Sequence, residues 1–309
     1  MKFLENNSLV LKLNEIIKKD RIFHCYLFYG EDFVLKREIA RFFARTILCE
    51  KKTGFCRSCS SCKKFFSGNH LDFIEVGGVG QKGQSFSIYD VRKILEDAYI
   101  NPNEGEYKVF LLNDVDSLLK SPLNALLKIL ESPPKGVVFI LTACKKSGVL
   151  KTVASRCVDF YVGVCSKEEV LGYIKEKKFK IKDKGVLEEI IELSEGRLDL
   201  LEKYLTLKEA EKLVFISDEL LNFILKGEEF KFLYSLQQLE KNLEDIFFVF
   251  TLMLLRLQVY LKDLKSFGFD EIEKIGKITH YFQHTIYNLK NNANVSLAIS
   301  NLCCKIFGY

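Results

Sequence analysis

Four short apolar runs, each separated from the next by amphipathic sequence, constrain this chain more than any other feature. They are Cys25–Tyr29, Asp72–Val76, Val109–Leu112 and Val137–Thr142. A strand that is apolar on both faces cannot leave either face in water, so nearly unbroken runs of this kind require a parallel sheet with helices on both sides. The intervening segments supply them. Ile39, Phe42, Phe43 and Ile47 recur at helical spacing, as do Leu123, Leu126, Leu127 and Leu130. The second group is expected to form a helix capped by Ser121, with Pro122 at its first position and Ser132-Pro133-Pro134 ending it. A βα architecture is therefore expected through about residue 163.

After Cys165 the strand signal disappears. Residues 166–205 read as a small helical unit broken near Gly196, and the chain from about 207 onward is helical by periodicity, punctuated by Gly227, Gly268 and Asn291-Asn292-Ala293-Asn294. The expected division is an α/β domain over 1–163, a helical lid over 164–206 and an all-α C-terminal domain over 207–309. With 309 residues there is enough chain for two or three cores. A net charge of +5 permits contact with nucleic acid without demanding it. Glu5, Asn6 and Asn7 fall where a secretory signal needs apolar residues, and the run Ile246–Leu255 is too short to span a bilayer. Ten cysteines, four of them clustered, do not form a secreted disulfide pattern, so a cytoplasmic protein without membrane contact is expected.

Cys49, Cys56, Cys59 and Cys62 have the spacing C-x6-C-x2-C-x2-C. Four thiolates so close in sequence can close around one tetrahedral Zn²⁺, the first from a helix end and three from a loop. A four-sulfur shell leaves no position for water, so the metal would be structural. The alternatives are an iron–sulfur site, redox use and free thiols. His70, eight residues beyond Cys62, reads as a packing residue.

The strand Cys25–Tyr29 runs into Gly30-Glu-Asp-Phe-Val-Leu-Lys36-Arg37, the place of a phosphate-binding loop. Gly30 and Lys36 keep the spacing G-x5-K. Phe33 and Leu35 stand where glycines would let the backbone approach a phosphate, and Arg37 replaces the hydroxyl that would hold Mg²⁺. After Val109–Leu112, Asn113-Asp114 stands where a working ATPase carries Asp-Glu. ATP is not expected to be bound or hydrolysed by this chain.

Together these stretches resemble the bacterial clamp-loader AAA+ subunits, delta-prime and its relative gamma/tau. The matching residues are His24–Gly30, the four-cysteine insert, Lys108–Leu112, Leu123–Pro134, Phe139–Thr142 and Leu150-Lys-Thr-Val-Ala-Ser155-Arg156-Cys157, covering most of residues 20–160. The resemblance implies an AAA+-type, P-loop NTPase-like domain with a zinc-binding insert at 49–62, a helical lid and a C-terminal collar. The decayed residues Phe33, Leu35, Arg37 and Asn113, together with the length, place the chain beside delta-prime. The implied role is a stator-like subunit of the DNA polymerase III clamp loader that does not hydrolyse ATP. Its partners would be gamma/tau and delta subunits and, through the complex, the sliding clamp and primed DNA. Arg156, in Ser155-Arg156-Cys157, would act as an arginine finger in a neighbour's ATP site; the plainer reading pairs it with a carboxylate at the domain edge. Two other functions stand against this one, an ATP-hydrolysing gamma/tau-like motor and a zinc-containing nucleic-acid-binding module.

Smaller signals have plainer readings. Thr142 matches a nucleotide-sensing position and is expected to be structural here. Gly196-Arg197 falls near a second sensing position without a firm register. His280 and His284, four apart on a helix, have no third metal ligand. Lys145-Lys146 and Lys177-Lys178 read as solvated faces, and Cys303-Cys304 as buried thiols.

Overall fold

The computed structural model describes residues 2–52, 56, 58–77, 88–118, 120–179, 183–207, 209–263 and 269–308. In chain order the elements are α1 (Ser8–Lys18), β1 (Cys25–Tyr29), α2 (Phe33–Leu48), α3 (Ser60–Phe66), β2 (Phe73–Val76), α4 (Ile88–Ala98), β3 (Lys108–Leu112), α5 (Lys120–Glu131), β4 (Val137–Ala143), α6 (Lys151–Ala154), β5 (Val158–Tyr161) and α7 (Lys167–Lys177). Among the described residues there follow α8 (Lys184–Leu193), α9 (Leu198–Leu205), α10 (Ala210–Lys226), α11 (Glu229–Gln237), α12 (Leu243–Asp263), α13 (Phe269–Lys290) and α14 (Val295–Phe307).

The strands form one parallel sheet in the order β2-β3-β4-β1-β5. All four apolar runs are strands of it, and β3 and β4 are buried along their whole length. Helices α4, α5 and α6 pack one face through Val91, Ile94, Leu126, Leu130 and Val153. On α2, Ile39, Phe42, Phe43 and Ile47 are buried, with Phe43 set edge-on against Tyr26 of β1. The parallel α/β sheet followed by a helical C-terminal region is thus the architecture of the chain.

Three details differ from expectation. A fifth strand, β5, was not among the expected runs; Val158-Asp-Phe-Tyr161 lies at a sheet edge, and its first and last residues are exposed. The second run begins its strand at Phe73, because the fully buried Asp72 instead anchors a loop: its carboxylate accepts from the Asn103 and Glu104 amides at 2.7 and 2.8 Å. Helix α5 starts at Lys120, so Ser121 and Pro122 lie inside its first turn instead of ahead of it; their side chains lie outside the described residues. Gly268 also lies outside them.

The chain divides into two compact units. The first comprises Met1–Phe179 with Gly196–Asp199 and holds the sheet; the second comprises Lys180–Glu195 with Leu200–Tyr309 and is helical. In the second, Ile246, Phe248, Val249, Phe250, Leu252 and Met253 make α12 the buried spine. Arg256, in the second half of α12, is held by Glu189 at 2.7 Å, by Asp218 at 3.0 Å and by Ser217. A guanidinium so largely buried needs this many acceptors. Among the described residues no helix is long and apolar enough to cross a membrane.

Candidate functional site

β1 leads into only three residues, Gly30-Glu31-Asp32, before α2 begins at Phe33. A working phosphate loop stays open between its glycine and its lysine so that amide N–H groups face the ligand. Here Phe33, Val34 and Leu35 are already the first turn of the helix. Asp32 is what closes it: its Oδ1 accepts from the Leu35 amide at 2.9 Å as N-cap, and its Oδ2 accepts from the Leu198 amide. The carboxylate is 2% exposed, and burial, outweighing the amide bonds, raises its pKa. The helix end that would face a phosphate therefore faces the chain's own anion.

The groups that the sequence reading placed around a phosphate loop are likewise bonded within the chain. Lys36, 1% exposed, donates to the Ala143 carbonyl at the end of β4 at 2.9 Å. Arg37 and Arg41 of α2 grip the two oxygens of Glu75 on β2 at 2.6 and 3.0 Å. Asn113 donates its amide to the same Glu75 at 3.1 Å, and the Thr142 hydroxyl bridges the Asn113 side chain to the Asp114 amide. Thr142 is thus structural in this arrangement. Burial raises the pKa of Asp114, Asp116 adds to the effect, and Lys36 and Arg37 oppose it. Gly30 has a packing reason of its own, since a Cβ there would lie 2.1 Å from the Val162 carbonyl oxygen.

At the C-terminal ends of β1, β4 and β5 there is a cavity of about 400 Å³ lined by Tyr29, Lys145, Lys146, Tyr161 and Arg197 among others. Arg197 forks onto Asp199 at 2.8 and 3.1 Å and reaches Glu31 at 3.3 Å. Lys146 pairs with Asp159 and lies over the ring of Tyr29.

Arg156 follows the single-turn helix α6 and precedes β5. Its Nη1 donates to the Thr152 carbonyl at 2.7 Å and its Nη2 to Glu131, the last residue of α5, at 2.8 Å. Both side chains of this pair are partly exposed. Paired charges in that setting contribute only about 0–1 kcal/mol. The pair holds the guanidinium at the end of α5.

The four clustered cysteines converge. Cys49 caps the end of α2, Cys59 caps the start of α3, Cys62 lies in the first turn of α3, and Cys56 comes from the segment between. Cys62 is thus helical and not a loop residue, because the Cys59 side chain accepts the Cys62 amide and starts the helix there. All four sulfurs lie within 4.8 Å of one another. The Cys56 and Cys62 sulfurs are 3.8 Å apart. A tetrahedral Zn–S₄ site with bonds of about 2.3 Å has sulfur–sulfur edges of about 3.8 Å, so the donor set and its spacing fit that ion. Burial pushes up the thiols of Cys49 and Cys62. Slight burial raises the Cys56 thiol as well, but amide bonds from Cys59 and Ser58 outweigh it and lower the pKa to about 5. His70 stays outside the quartet: it accepts the Asp72 amide at Nδ1 and meets the Ser61 hydroxyl through Nε2. Since Ser61 donates to the Leu48 carbonyl, this assigns the ring as neutral with its proton on Nε2.

His280 and His284 are exposed on α13, with ring centroids 6.3 Å apart. Cys303 is buried and Cys304 exposed, so only the first is a core thiol. Asp32 and Glu75 were not singled out by the sequence reading. The signal for Asp32 was available, an acidic N-cap residue directly ahead of an apolar-periodic helix; for Glu75 there was none, as one charged residue inside a strand names no partner.

Comparison with known proteins adds a family match. The model of the family described as "DNA polymerase III, delta subunit" matches residues 5–163. The DNA polymerase III subunit gamma of Buchnera aphidicola subsp. Schizaphis graminum is 27% identical over 261 residues, covering 78% of this chain and 71% of that protein. The tau subunit of Escherichia coli K12 is 31% identical over 185 residues, covering 58% of this chain but only 28% of that protein. A crystal structure of a gamma-subunit-related protein from Thermotoga maritima shares the fold, with a TM-score of 0.52 at 20% identity over 96% of this chain and 98% of that one.

Proposed function

Because the chain belongs to the DNA polymerase III delta-subunit family, we propose that it is a delta-prime-type, non-hydrolysing subunit of a clamp loader. In this reading the sheet domain sits in a ring beside gamma/tau-type and delta-type subunits, the residues from about 207 form a collar, and residues 164–206 a lid. The assembly loads a sliding clamp onto primed DNA. The observation that carries the reading is the closure of the phosphate loop: α2 begins at Phe33, Asp32 fills the helix end, and Lys36 is spent on a backbone carbonyl. Each of these removes a group that ATP would need.

Arg156 supplies what this chain gives to catalysis. A guanidinium carried to a neighbour's γ-phosphoryl stabilises the charge that spreads over its oxygens, an effect on the order of 10³–10⁵ in rate in GTPases. Phosphate outcompetes Glu131 for it, because a phosphoryl group offers more charge and more acceptors than an exposed carboxylate. Cys49, Cys56, Cys59 and Cys62 would hold one Zn²⁺, which fastens α3 to the end of α2 and takes no part in chemistry.

The test is the ATPase of a gamma/tau complex reconstituted with delta, this chain, clamp and primed DNA. Arg156→Ala should lower the rate by at least about tenfold, a conservative share of the range above, while the isolated chain shows no ATP binding in titration calorimetry. Unchanged ATPase in the complex would end the finger role. The curated relatives are named gamma and tau, which favours a motor as the second reading; tight ATP binding by the isolated chain would establish that one instead.

A further inference from the structure

Among the described residues one further pair of thiols meets outside the quartet. β1 and β5 run parallel with Tyr26 opposite Val158. Carrying the register back one residue sets Cys25 beside Cys157, the cysteine of the Ser155-Arg156-Cys157 turn. Neighbouring strands lie about 4.8 Å apart, inside the roughly 4.4–6.8 Å between Cα atoms from which a disulfide closes without backbone movement. The two side chains emerge on the same face, and their sulfurs touch at 2.6 Å. Cys157 directs its thiol to the Val153 carbonyl at 3.3 Å and is partly exposed, whereas Cys25 is fully buried in the sheet core.

We propose that Cys25 and Cys157 form a reversible disulfide when the protein meets a small-molecule disulfide oxidant. The more accessible Cys157 reacts first. Its thiolate attacks one sulfur of glutathione disulfide, that S–S bond breaks, and one glutathione leaves as thiolate and takes up a proton. Cys25 then loses its proton to solvent and attacks the Cys157 sulfur, releasing the second glutathione. Two protein thiols are oxidised by two electrons in all, and one glutathione disulfide is reduced to two glutathione thiols. The second step sets the pace, because burial and the neighbouring Cys157 sulfur both disfavour a thiolate at Cys25. Dithiothreitol reverses the sequence.

The bond would replace the Cys157–Val153 contact and tie the turn that carries Arg156 directly to β1. Its consequence for a neighbour's ATPase rests on the function proposed above; its formation does not.

The experiment uses the full chain with its metal, incubated with glutathione disulfide at mildly alkaline pH, blocked with N-ethylmaleimide and digested without reductant for mass spectrometry. The expected result is a peptide pair joined through Cys25 and Cys157, lighter than the two peptides by two hydrogens and lost on reduction. Exposed Cys144 should carry glutathione in the same sample, as proof that the oxidant acted. Cys157→Ser should abolish the linked pair and leave Cys25 unmodified. Cys25→Ser should leave Cys157 as the mixed disulfide with glutathione. Recovery of Cys25 and Cys157 as free thiols from a wild-type sample in which Cys144 is modified would overturn the proposal. So would a wild-type Cys157 that stops at the mixed disulfide. A linked pair that leaves the ATPase of the reconstituted complex unchanged would uphold the disulfide and count against Arg156 as a finger.

Discussion

At the scale of single residues, the turn between β1 and α2 and the groups around it are defined by what they bind. Lys36 is buried against the Ala143 carbonyl and reaches nothing in solvent. Lys36→Met should therefore leave the ATPase of the assembled complex unchanged, which a steady-state assay of reconstituted complexes would check. Asp32 does more structural work than its neighbours, serving amides from two separate segments. Asp32→Ala removes a cap and orphans a buried amide, and should cost about 2–4 kcal/mol in urea denaturation. Gly30→Ala should also destabilise, by at least about 2 kcal/mol, because its Cβ would overlap the Val162 carbonyl. His24 supplies a pH dependence. Burial, partly offset by a backbone bond, lowers its pKa from the usual histidine value. The unfolded chain then takes up a proton that the folded chain resists, so the stability His24 contributes is full above about pH 6.5 and is lost as pH falls below it. Denaturation midpoints between pH 7.5 and 5.5 should fall less in His24→Phe than in wild type.

At the scale of elements, the cysteine quartet and the Glu75 clasp do different work. Helix α3 has only seven residues, too few to persist alone in water. Its start is gathered beside Cys49 at the end of α2 through Cys59 and Cys62. Stripping metal with a strong chelator should raise amide hydrogen exchange across residues 58–66 while leaving β3 and β4 protected, and metal analysis of the untreated chain should return one zinc per molecule. The clasp of Arg37 and Arg41 on Glu75 joins α2 to the edge strand β2. These elements also show how far patterning reaches. Val137–Leu141 announces β4 because every position is apolar, whereas β5, Val158-Asp-Phe-Tyr161, is broken by Asp159 and exposed at both ends and gives no such notice.

At the scale of the whole molecule, a parallel α/β sheet followed by a helical region was legible from residue order alone. So were the cysteine spacing and the bulky Phe33 and Leu35 that follow Gly30. Those properties are local or periodic: apolar runs, helical repeats and missing glycines act within one element or one turn, and any fold of the chain must honour them. Which groups pack around the start of α2 was not legible. That Asp32 meets the Leu198 amide across 166 positions, that Glu75 gathers two arginines from α2, and that Cys25 faces Cys157 through the pairing of β1 with β5 all depend on which distant segments pack together. Strand order is set by how the covering helices share the core, a property of the packed chain, so only the tertiary structure could decide which distant groups would meet.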